Sequence, residues 1–254
     1  MTDEELYLFD LQGYLVIENA IEPQALSATN AWIDAQAEKD PRFHGQPGND
    51  HLGNLLTWGP EFRALLDNPR VLPYLKQILG DTLRLDHDYA IFLQPGGKGM
   101  RLHGGGAPYD PAQYYHCLHG RMYSGLAVAA YALTDVPPGC GGFACIPGSH
   151  KSNFPCPEDI LLLQRSTPIV RQVPAKAGDC ILFTEALTHG TLPWTASHCR
   201  RTLFYKYSPG HLTWAASYYF PAEGNKQVQA LDGQLTPAQR ILLDPPSVDR
   251  HRKS

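Results

Sequence analysis

The chain lacks several features that define other classes of protein. Its 254 residues contain no apolar run approaching the roughly 20 residues that a membrane-spanning helix needs. Its first five residues, Met1 to Glu5, are acidic, whereas a secretory leader begins with basic residues. We therefore expect a cytoplasmic protein without a membrane partner.

The chain also lacks a large excess of charge of either sign. Lysine and arginine number 21 against 25 aspartates and glutamates, for a net charge of −4, and the basic residues form no run. This balance argues against binding to a nucleic acid polymer or an anionic membrane, although a basic pocket for one phosphate is compatible with it. A small-molecule substrate is the expected partner, and the oligomeric state is left open.

The cysteines lack the paired Cys-x-x-Cys spacing of zinc ribbons, and a chain of this size does not need disulfides for stability. We predict that they are reduced and mainly structural. They are Cys117, Cys140, Cys145, Cys156, Cys180 and Cys199.

The sequence has no internal repeats, and we treat residues 1–254 as one domain. Thr2 and Glu5 have the spacing of a capping box for a helix that leads into Gly13. A strand at 14–17 follows, then helices at 23–38, 60–67 and 71–79. Beyond residue 82 the pattern changes to short β-rich runs separated by Gly/Pro turns, at 89–93, 125–133, 142–146, 180–183 and 202–207. This pattern predicts a mainly β fold with flanking helices, a sandwich or jelly roll. Irregular segments at 95–121 and 147–174 should lie at the open end of the jelly roll, where loops can shape the choice of substrate.

Two histidines follow hydrophobic runs, His103 in Leu-His-Gly-Gly and His189 in Leu-Thr-His-Gly. Neutral imidazole is a common ligand of divalent iron, and non-heme iron sites often combine two histidines with one carboxylate. The two motifs are therefore candidates for one shared iron site.

The order of motifs resembles the phytanoyl-CoA dioxygenase family of Fe(II)/2-oxoglutarate enzymes, from residue 9 to about residue 209. The similar segments are Phe9-Asp10 with residues 13–17, residues 135–142 with the Pro-Gly-Ser-His-Lys signature at 147–151, residues 173–179, and the motif around His189. The resemblance implies a double-stranded β-helix that uses Fe(II), 2-oxoglutarate and O2, with His103 and His189 as iron ligands.

The resemblance also implies a cosubstrate anchor. Arg200 stands eleven residues after His189, where the family places the arginine that binds the distal carboxylate of 2-oxoglutarate. A guanidinium can pair bidentately with a carboxylate and remains charged when buried. Arg201 is the alternative, since a shift of one residue in register would direct it to the opposite face of the strand.

The family's carboxylate ligand normally stands two residues after the first histidine, and that position is Gly105. In this respect the chain resembles the Fe(II)/2-oxoglutarate halogenases, in which glycine or alanine leaves room for chloride on the iron. Gly104 and Gly106 add space beside His103, although a turn or β-bulge would also explain the glycines. We predict a halogenase that chlorinates an unactivated C–H group.

A carboxylate from elsewhere would instead make the protein a hydroxylase. The candidates are Asp110, Glu185 and Asp88. Asp110 precedes Pro111 in a predicted turn, where aspartate usually accepts hydrogen bonds from its own backbone. Glu185 is expected to orient a ligand histidine, and Asp88 to be structural. A noncatalytic relative that binds a small ligand is a further alternative.

Substrate recognition is expected in the aromatic and basic stretch 114–121. Arg121, with His116 or His119, could bind a phosphate or carboxylate. Tyr114, Tyr115 or Trp194 could stack on a ring, and a solvated loop is the alternative. By analogy with freestanding halogenases, a deoxyadenosine nucleotide in nucleoside-antibiotic biosynthesis is the candidate substrate.

Overall fold

The structure, a computed structural model, describes residues 1–45, 51–215 and 230–249. Its helices are α1 Asp3–Gln12, α2 Pro23–Ala37, α3 Pro60–Arg63, α4 Leu72–Leu79, α5 Glu158–Leu161 and α6 Pro237–Leu242. Short 3-10 helices occupy Pro41–His44, Leu55–Thr57 and Ser149–Lys151. In the part of the chain that is described, no helix is long and apolar enough to cross a membrane.

The strands are β1 Tyr14–Ile17, β2 Leu52–Gly53, β3 Arg84–Leu93, β4 Met100–His103, β5 Tyr115–Leu118, β6 Arg121–Ser124, β7 Ala127–Ala132, β8 Gly142–Cys145, β9 Arg171–Gln172, β10 Cys180–Thr184, β11 His189–Leu192 and β12 Arg200–Ser208. A six-stranded sheet has the order β1-β10-β7-β12-β3-β2, and a four-stranded sheet the order β4-β11-β8-β9. All neighbours pair antiparallel, and β5 and β6 form a separate hairpin. The predicted jelly roll with flanking helices is confirmed.

The six-stranded sheet has a different environment on each face because successive side chains of a strand point to opposite sides. On β12, Phe204 packs with Phe183 of β10 and Phe143 of the smaller sheet, in the core between the two sheets. Leu203 and Tyr205 belong to a second core that includes helical residues. The interior face of β12 therefore carries Arg200, Thr202, Phe204 and Lys206, and the helices cover the other face.

The N-terminal helix follows the sequence prediction closely. The Thr2 hydroxyl accepts a hydrogen bond from the Glu5 amide at 3.2 Å, and the Glu5 carboxylate accepts one from the Thr2 amide at 2.7 Å. Gly13 ends the helix in the left-handed region, at φ 84°, where glycine is favoured. The capping box thus sets the start of α1, and the strand β1 begins one residue after Gly13.

The predicted helix at 60–67 is shorter in the structure and ends at Arg63. Beyond Arg63 the chain continues in tight turns, in which the Leu65 and Leu66 amides bind the carbonyls three residues earlier. Three tyrosines on the outer face of the large sheet donate hydrogen bonds to carbonyls in this segment. Tyr205 binds the Phe62 carbonyl at 2.7 Å, Tyr207 that of Leu66 at 2.8 Å and Tyr131 that of Leu65 at 3.2 Å. These bonds offer the carbonyls partners outside a helix.

Two strands extend further than predicted because polar residues at their ends are paired inside the protein. Asp86 accepts hydrogen bonds from Ser208 at 3.0 Å and from the amides of Trp214 and Ala215 at 2.8 and 2.9 Å. Burial raises the pKa of Asp86, but these amides and the neighbouring His87 lower that pKa to about 2. This network allows β3 to begin at Arg84, five residues before the predicted strand.

The strand β4 lies inside the segment 95–121, which was predicted to be irregular. Only four residues long, it pairs with β11 from a distant part of the chain. Its sequence, Met-Arg-Leu-His, has no strong period, and tertiary pairing decides its conformation. This correction matters for function because β4 ends at His103.

All six cysteines are free thiols in the structure. Cys145 is buried in the core between the sheets, and Cys180 in the core under the helices. Burial raises the pKa of Cys145 to about 12 and that of Cys180 well above its ordinary value. Both thiols are therefore packing residues of low reactivity.

Candidate metal centre and cosubstrate pocket

His103 and His189 lie side by side across the two strands that carry them. They are direct Cα partners in the ladder between β4 and β11, and their ring centroids are 4.2 Å apart. His103 ends its strand and His189 begins the other. The predicted pair of histidines is thus brought together by strand register alone.

Both imidazoles are held in the form that binds a metal. Burial lowers the pKa of His189 to about 3 and also lowers that of His103. His189 places Nδ1 2.7 Å from the Leu187 carbonyl. A proton on Nδ1 donates to that carbonyl, which leaves the lone pair of Nε2 directed at the cluster.

Glu185 supplies the third group of the cluster. Its Oε1 lies 3.6 Å from Nε2 of His189 and 3.8 Å from Nε2 of His103. Glu185 comes directly after β10 and its amide donates to the Leu126 carbonyl at 2.8 Å. By strand alternation it faces inward like Phe183. Among the described residues, His103, Glu185 and His189 form a group whose ligand atoms all lie within 4.8 Å of one another.

Lys206 is the cation that accompanies this carboxylate. Its Nζ donates to Oε1 of Glu185 at 2.9 Å and lies 5.5 Å from the centre of the Tyr89 ring. Burial raises the pKa of Glu185, but the charge of Lys206 and its hydrogen bond hold that pKa below its ordinary value. Glu185 is therefore an anion at neutral pH, and its Oε2 has no hydrogen-bond partner.

Gly105 lies two residues beyond His103, beside Thr188. A Cβ atom on Gly105 would lie 2.9 Å from the Thr188 hydroxyl oxygen, and the residue has φ 115°. Both residues line a cavity of about 320 Å³, with Ile146, Phe154 and Ile169 among its apolar walls. None of the three clustered side chains lines that cavity. The first atom of a side chain at position 105 would therefore meet Thr188, and no atom of the two histidines lies within 4 Å of it.

The two remaining carboxylates have structural roles, as predicted. Asp110 accepts hydrogen bonds from the amides of Ala112 and Gln113 at 2.7 and 3.0 Å, which is an Asx turn. Asp88 is buried and accepts from the Leu55 amide at 3.1 Å. It pairs with Tyr205, on the outer face of the sheet. Neither carboxylate belongs to the cluster.

Arg200 is buried with unpaired donors at the start of β12. Its side chain faces the barrel interior, and neither Nε nor Nη1 has a hydrogen-bond partner. The Thr202 hydroxyl, on the same face, is also buried without a partner. Burial lowers the pKa of Arg200 to about 10, so it stays charged at neutral pH. A buried cation with free donors fits a carboxylate ligand.

Arg201 points the other way, toward α2. It donates to Asn30 at 3.0 Å and pairs with Asp34 at 2.5 Å. The alternation of the strand thus separates two adjacent arginines, one facing the interior and one facing a surface helix. Of the two arginines, Arg200 is the one that presents unpaired donors to the interior of the barrel.

Two of the predicted substrate residues are packing residues instead. The Tyr115 hydroxyl donates to Asp10 at 2.7 Å, and its ring meets that of His150 edge-on at 4.7 Å. Trp194 is fully buried and its indole donates to the His198 carbonyl at 2.6 Å. Both side chains are covered because their polar atoms have partners inside the fold, so neither presents a ring to a substrate.

The other substrate candidates are accessible. His116 stacks with Tyr114 and with Tyr109, at centroid distances of 5.6 and 6.1 Å. Arg121 is exposed, and its guanidinium carbon lies 5.3 Å from the centre of the Tyr123 ring. Tyr109 joins this stack, although no pattern in the sequence indicates it.

The sequence motifs do not point to Lys206, and from them Glu185 is expected only to orient a ligand histidine. The signal for Lys206 is a single lysine in an otherwise apolar strand pattern, Leu-Phe-Tyr-Lys-Tyr at 203–207. The inward alternation of Phe204 and Lys206 then requires a buried partner for the ammonium. No pattern in the sequence shows that this partner is Glu185, because the two residues meet only through the order of strands in the sheet, where β7 lies between β10 and β12.

A jelly-roll barrel that holds two histidines, a carboxylate and an inward arginine has the architecture of a non-heme iron oxygenase. The chain matches the phytanoyl-CoA dioxygenase (PhyH) family over residues 9–202 and therefore belongs to it. It is 22% identical over 249 residues to ectoine dioxygenase of Nocardia farcinica, covering 86% of this chain and 82% of that protein.

Solved structures agree with this assignment. HygX from Streptomyces hygroscopicus with nickel and 2-oxoglutarate bound is 27% identical, with a TM-score of 0.76 over 85% of this chain and 90% of that one. The iron-bound form of HygX is 26% identical, with a TM-score of 0.72 over the same shares of the two chains. The epimerase SnoN from nogalamycin biosynthesis, at 18% identity and a TM-score of 0.62 over 82% and 83% of the two chains, shares the fold. The protein is an enzyme of the Fe(II)/2-oxoglutarate-dependent oxygenase type.

The turn at Gly104 generates a prediction about the site. A Cβ there would lie 2.6 Å from the Leu187 carbonyl oxygen and 2.8 Å from that of Glu185, at φ 78°. Because both obstacles are backbone atoms, we expect Gly104→Ala to displace His103 from Glu185 and to weaken Mn(II) binding at least about tenfold, measured by calorimetry.

The matched control is Gly120→Ala. Gly120 has a similar φ of 72°, but no atom lies within 4 Å of its added Cβ. It should lose about 1 kcal/mol of stability from backbone strain and keep its metal affinity. Equal metal affinities in the two variants would contradict the proposed packing of the turn against the cluster.

Proposed function

We propose that the protein is an Fe(II)/2-oxoglutarate-dependent hydroxylase in which His103, His189 and Glu185 hold the iron. The observation that carries the proposal is the position of Glu185, whose Oε1 lies within 3.8 Å of Nε2 on both histidines. Two imidazoles and one carboxylate are the ligand set of the 2-His-1-carboxylate iron enzymes. Here the carboxylate comes from the end of β10 in place of the position two residues after His103.

The donor chemistry supports this assignment. The pKa shifts leave both imidazoles neutral and Glu185 ionised at neutral pH, which are the forms that coordinate a divalent metal. Oε2 of Glu185 is buried without a hydrogen-bond partner. A buried unsatisfied carboxylate oxygen is costly unless a ligand completes it.

Arg200 and Thr202 are proposed to hold 2-oxoglutarate. Their donors are buried and have no hydrogen-bond partner. Arg200 lies four residues before Phe204 on β12 and Thr202 lies two residues before it, so all three side chains share the interior face of the strand. The guanidinium would bind the distal carboxylate of the cosubstrate, and the hydroxyl would donate to the same group. Fe(II) and 2-oxoglutarate together supply the activation of O2 for oxidation of a C–H bond, while the chain binds, orients and encloses the reactants.

Chlorination, predicted from the sequence, is the competing reaction of the same cofactors. It requires chloride to replace a protein carboxylate on the iron. The Glu185 carboxylate provides an anion at the cluster, and Gly105 faces Thr188. These two observations favour hydroxylation over halogen transfer.

A small molecule is the proposed substrate. HygX has been crystallised with hygromycin B, and SnoN with nogalamycin RO. In this chain the accessible rings of Tyr109, Tyr114 and His116, with Arg121, support a substrate that carries a ring and an anionic group. A deoxyadenosine nucleotide has both features and remains our prediction.

The role of Glu185 is tested by Glu185→Gln against Asp110→Asn. Both changes replace a carboxylate by its amide. Since only Glu185 lies in the cluster, we expect Glu185→Gln to weaken Mn(II) binding by about a hundredfold and Asp110→Asn to leave it unchanged in calorimetry. Loss of metal binding in the Asp110 variant alone would transfer the ligand role to that residue.

Adjacent arginines give a second matched pair. Arg200→Met should weaken 2-oxoglutarate binding to the Mn(II)-loaded protein by about a hundredfold, because it removes a buried charged hydrogen-bond donor. Arg201→Met removes only the pairing with α2 and should bind the cosubstrate normally. The reverse result would assign the anchor to Arg201.

Halide binding separates hydroxylation from chlorination. We would crystallise the protein anaerobically with Fe(II), 2-oxoglutarate and bromide, and collect anomalous diffraction on both sides of the bromine edge. We expect iron bound by His103, His189 and Glu185, with no bromine peak within bonding distance of it. A bromine peak on the iron, with Glu185 turned toward Lys206, would instead support the halogenase.

A further inference from the structure

Lys206 occupies an unusual position for a lysine, on the interior face of β12 beside the candidate metal centre. Only about a tenth of its side chain is exposed, and its Nζ donates to Oε1 of Glu185 at 2.9 Å. The same oxygen is the Glu185 atom that approaches Nε2 of both histidines. A metal bound by the cluster and the Lys206 ammonium would therefore share one carboxylate oxygen.

We propose that Lys206 is a built-in counter-cation of the site, which weakens the binding of metal alone and strengthens the binding of the dianionic cosubstrate to the metal-loaded protein. The inference rests on the proposed function, in which Glu185 is an iron ligand. Lys206 acts through charge and through its hydrogen bond to Glu185, and is therefore a positioning residue.

The apolar surroundings of Lys206 strengthen the interaction of its ammonium with other charges in the barrel. The core between the sheets contains Phe204, Val128 and Phe183, and the Tyr89 ring lies 5.5 Å from Nζ. Charges interact much more strongly in such an environment than in water. An ammonium that touches a metal ligand here repels the incoming dication.

The effect of the Lys206 charge reverses when the cosubstrate binds. A metal dication, the Glu185 carboxylate and the cations of Arg200 and Lys206 sum to a charge of +3 in the barrel, and the 2-oxoglutarate dianion lowers that sum to +1, so Lys206 attracts the incoming cosubstrate. Before the cosubstrate arrives, the metal and Glu185 already leave one positive charge, to which Lys206 adds another. The same lysine thus opposes the first binding step and assists the second.

In the metal-free protein Lys206 has a third effect, because it compensates the buried Glu185 carboxylate. Removing one partner of a buried ion pair leaves the other uncompensated and destabilises the fold. A bound metal replaces the lost positive charge. Thermal stability of a neutral variant should therefore respond more strongly to added metal than that of the unaltered protein.

Lys206→Met tests the proposal, with the exposed Lys98→Met as control. Calorimetry would measure Mn(II) binding alone, then 2-oxoglutarate binding to the Mn(II)-saturated protein. We expect Lys206→Met to bind Mn(II) about tenfold more tightly and 2-oxoglutarate about tenfold more weakly. The control should change neither affinity. A purely structural lysine would weaken both or affect neither.

Two further variants separate charge from packing. Lys206→Arg keeps the charge and should restore both affinities to within about threefold of the unaltered protein. Lys206→Gln keeps a hydrogen-bond donor without charge and should repeat the opposed changes, and it replaces Lys206→Met if that variant does not fold.

Affinities that shift in the same direction, or not at all, in the neutral variants would overturn the role of Lys206 while leaving the proposed function intact. If the unaltered protein binds neither Mn(II) nor 2-oxoglutarate, the proposed function fails, and the role of Lys206 fails with it.

Discussion

The organisation of the site depends on one buried carboxylate. Glu185 lies in the barrel interior, where an isolated anion would be too costly to keep. Lys206 lies 2.9 Å away, and the two histidines stand within 3.8 Å on the other side. The ion pair offsets the cost of burying the carboxylate. Together with the two neighbouring imidazoles, the carboxylate forms a group of three candidate metal ligands. The large sheet contributes Glu185 and Lys206, and the small sheet contributes both histidines.

Strand register and a glycine turn bring these groups together. The pairing of His103 with His189 depends on β4, a four-residue strand with little local preference of its own. Immediately after it the chain turns at Gly104, so close to the carbonyls of Leu187 and Glu185 that a Cβ would not fit. Absence of a side chain at Gly104 therefore has a packing reason. Gly105 follows in the same turn at φ 115°, a backbone conformation that favours glycine.

Much of the architecture could be predicted from local signals. The capping box at Thr2, the end of the helix at Gly13 and the strands at 180–183 and 202–207 each depend on neighbours in the chain, and the structure contains them. Predictions were weaker where distant residues decide the outcome. The helix that begins at Pro60 ends early in a segment whose carbonyls accept hydrogen bonds from sheet tyrosines, and Tyr115 and Trp194 are buried because Asp10 and His198 satisfy their polar atoms.

The sequence by itself determined the fold class, the family and the identity of the two histidines and the inward arginine. The fold class follows from the pattern of short strands, and the two histidines and the arginine follow from the resemblance of short motifs to the family. Only the tertiary structure decided which carboxylate approaches the histidines and which cation accompanies it. Glu185 and Lys206 belong to strands that are not neighbours in the sheet, since β7 lies between β10 and β12. Their contact is made over β7 on the interior face of one sheet, and it depends on an order of strands that are distant in the sequence, which no local pattern of residues encodes.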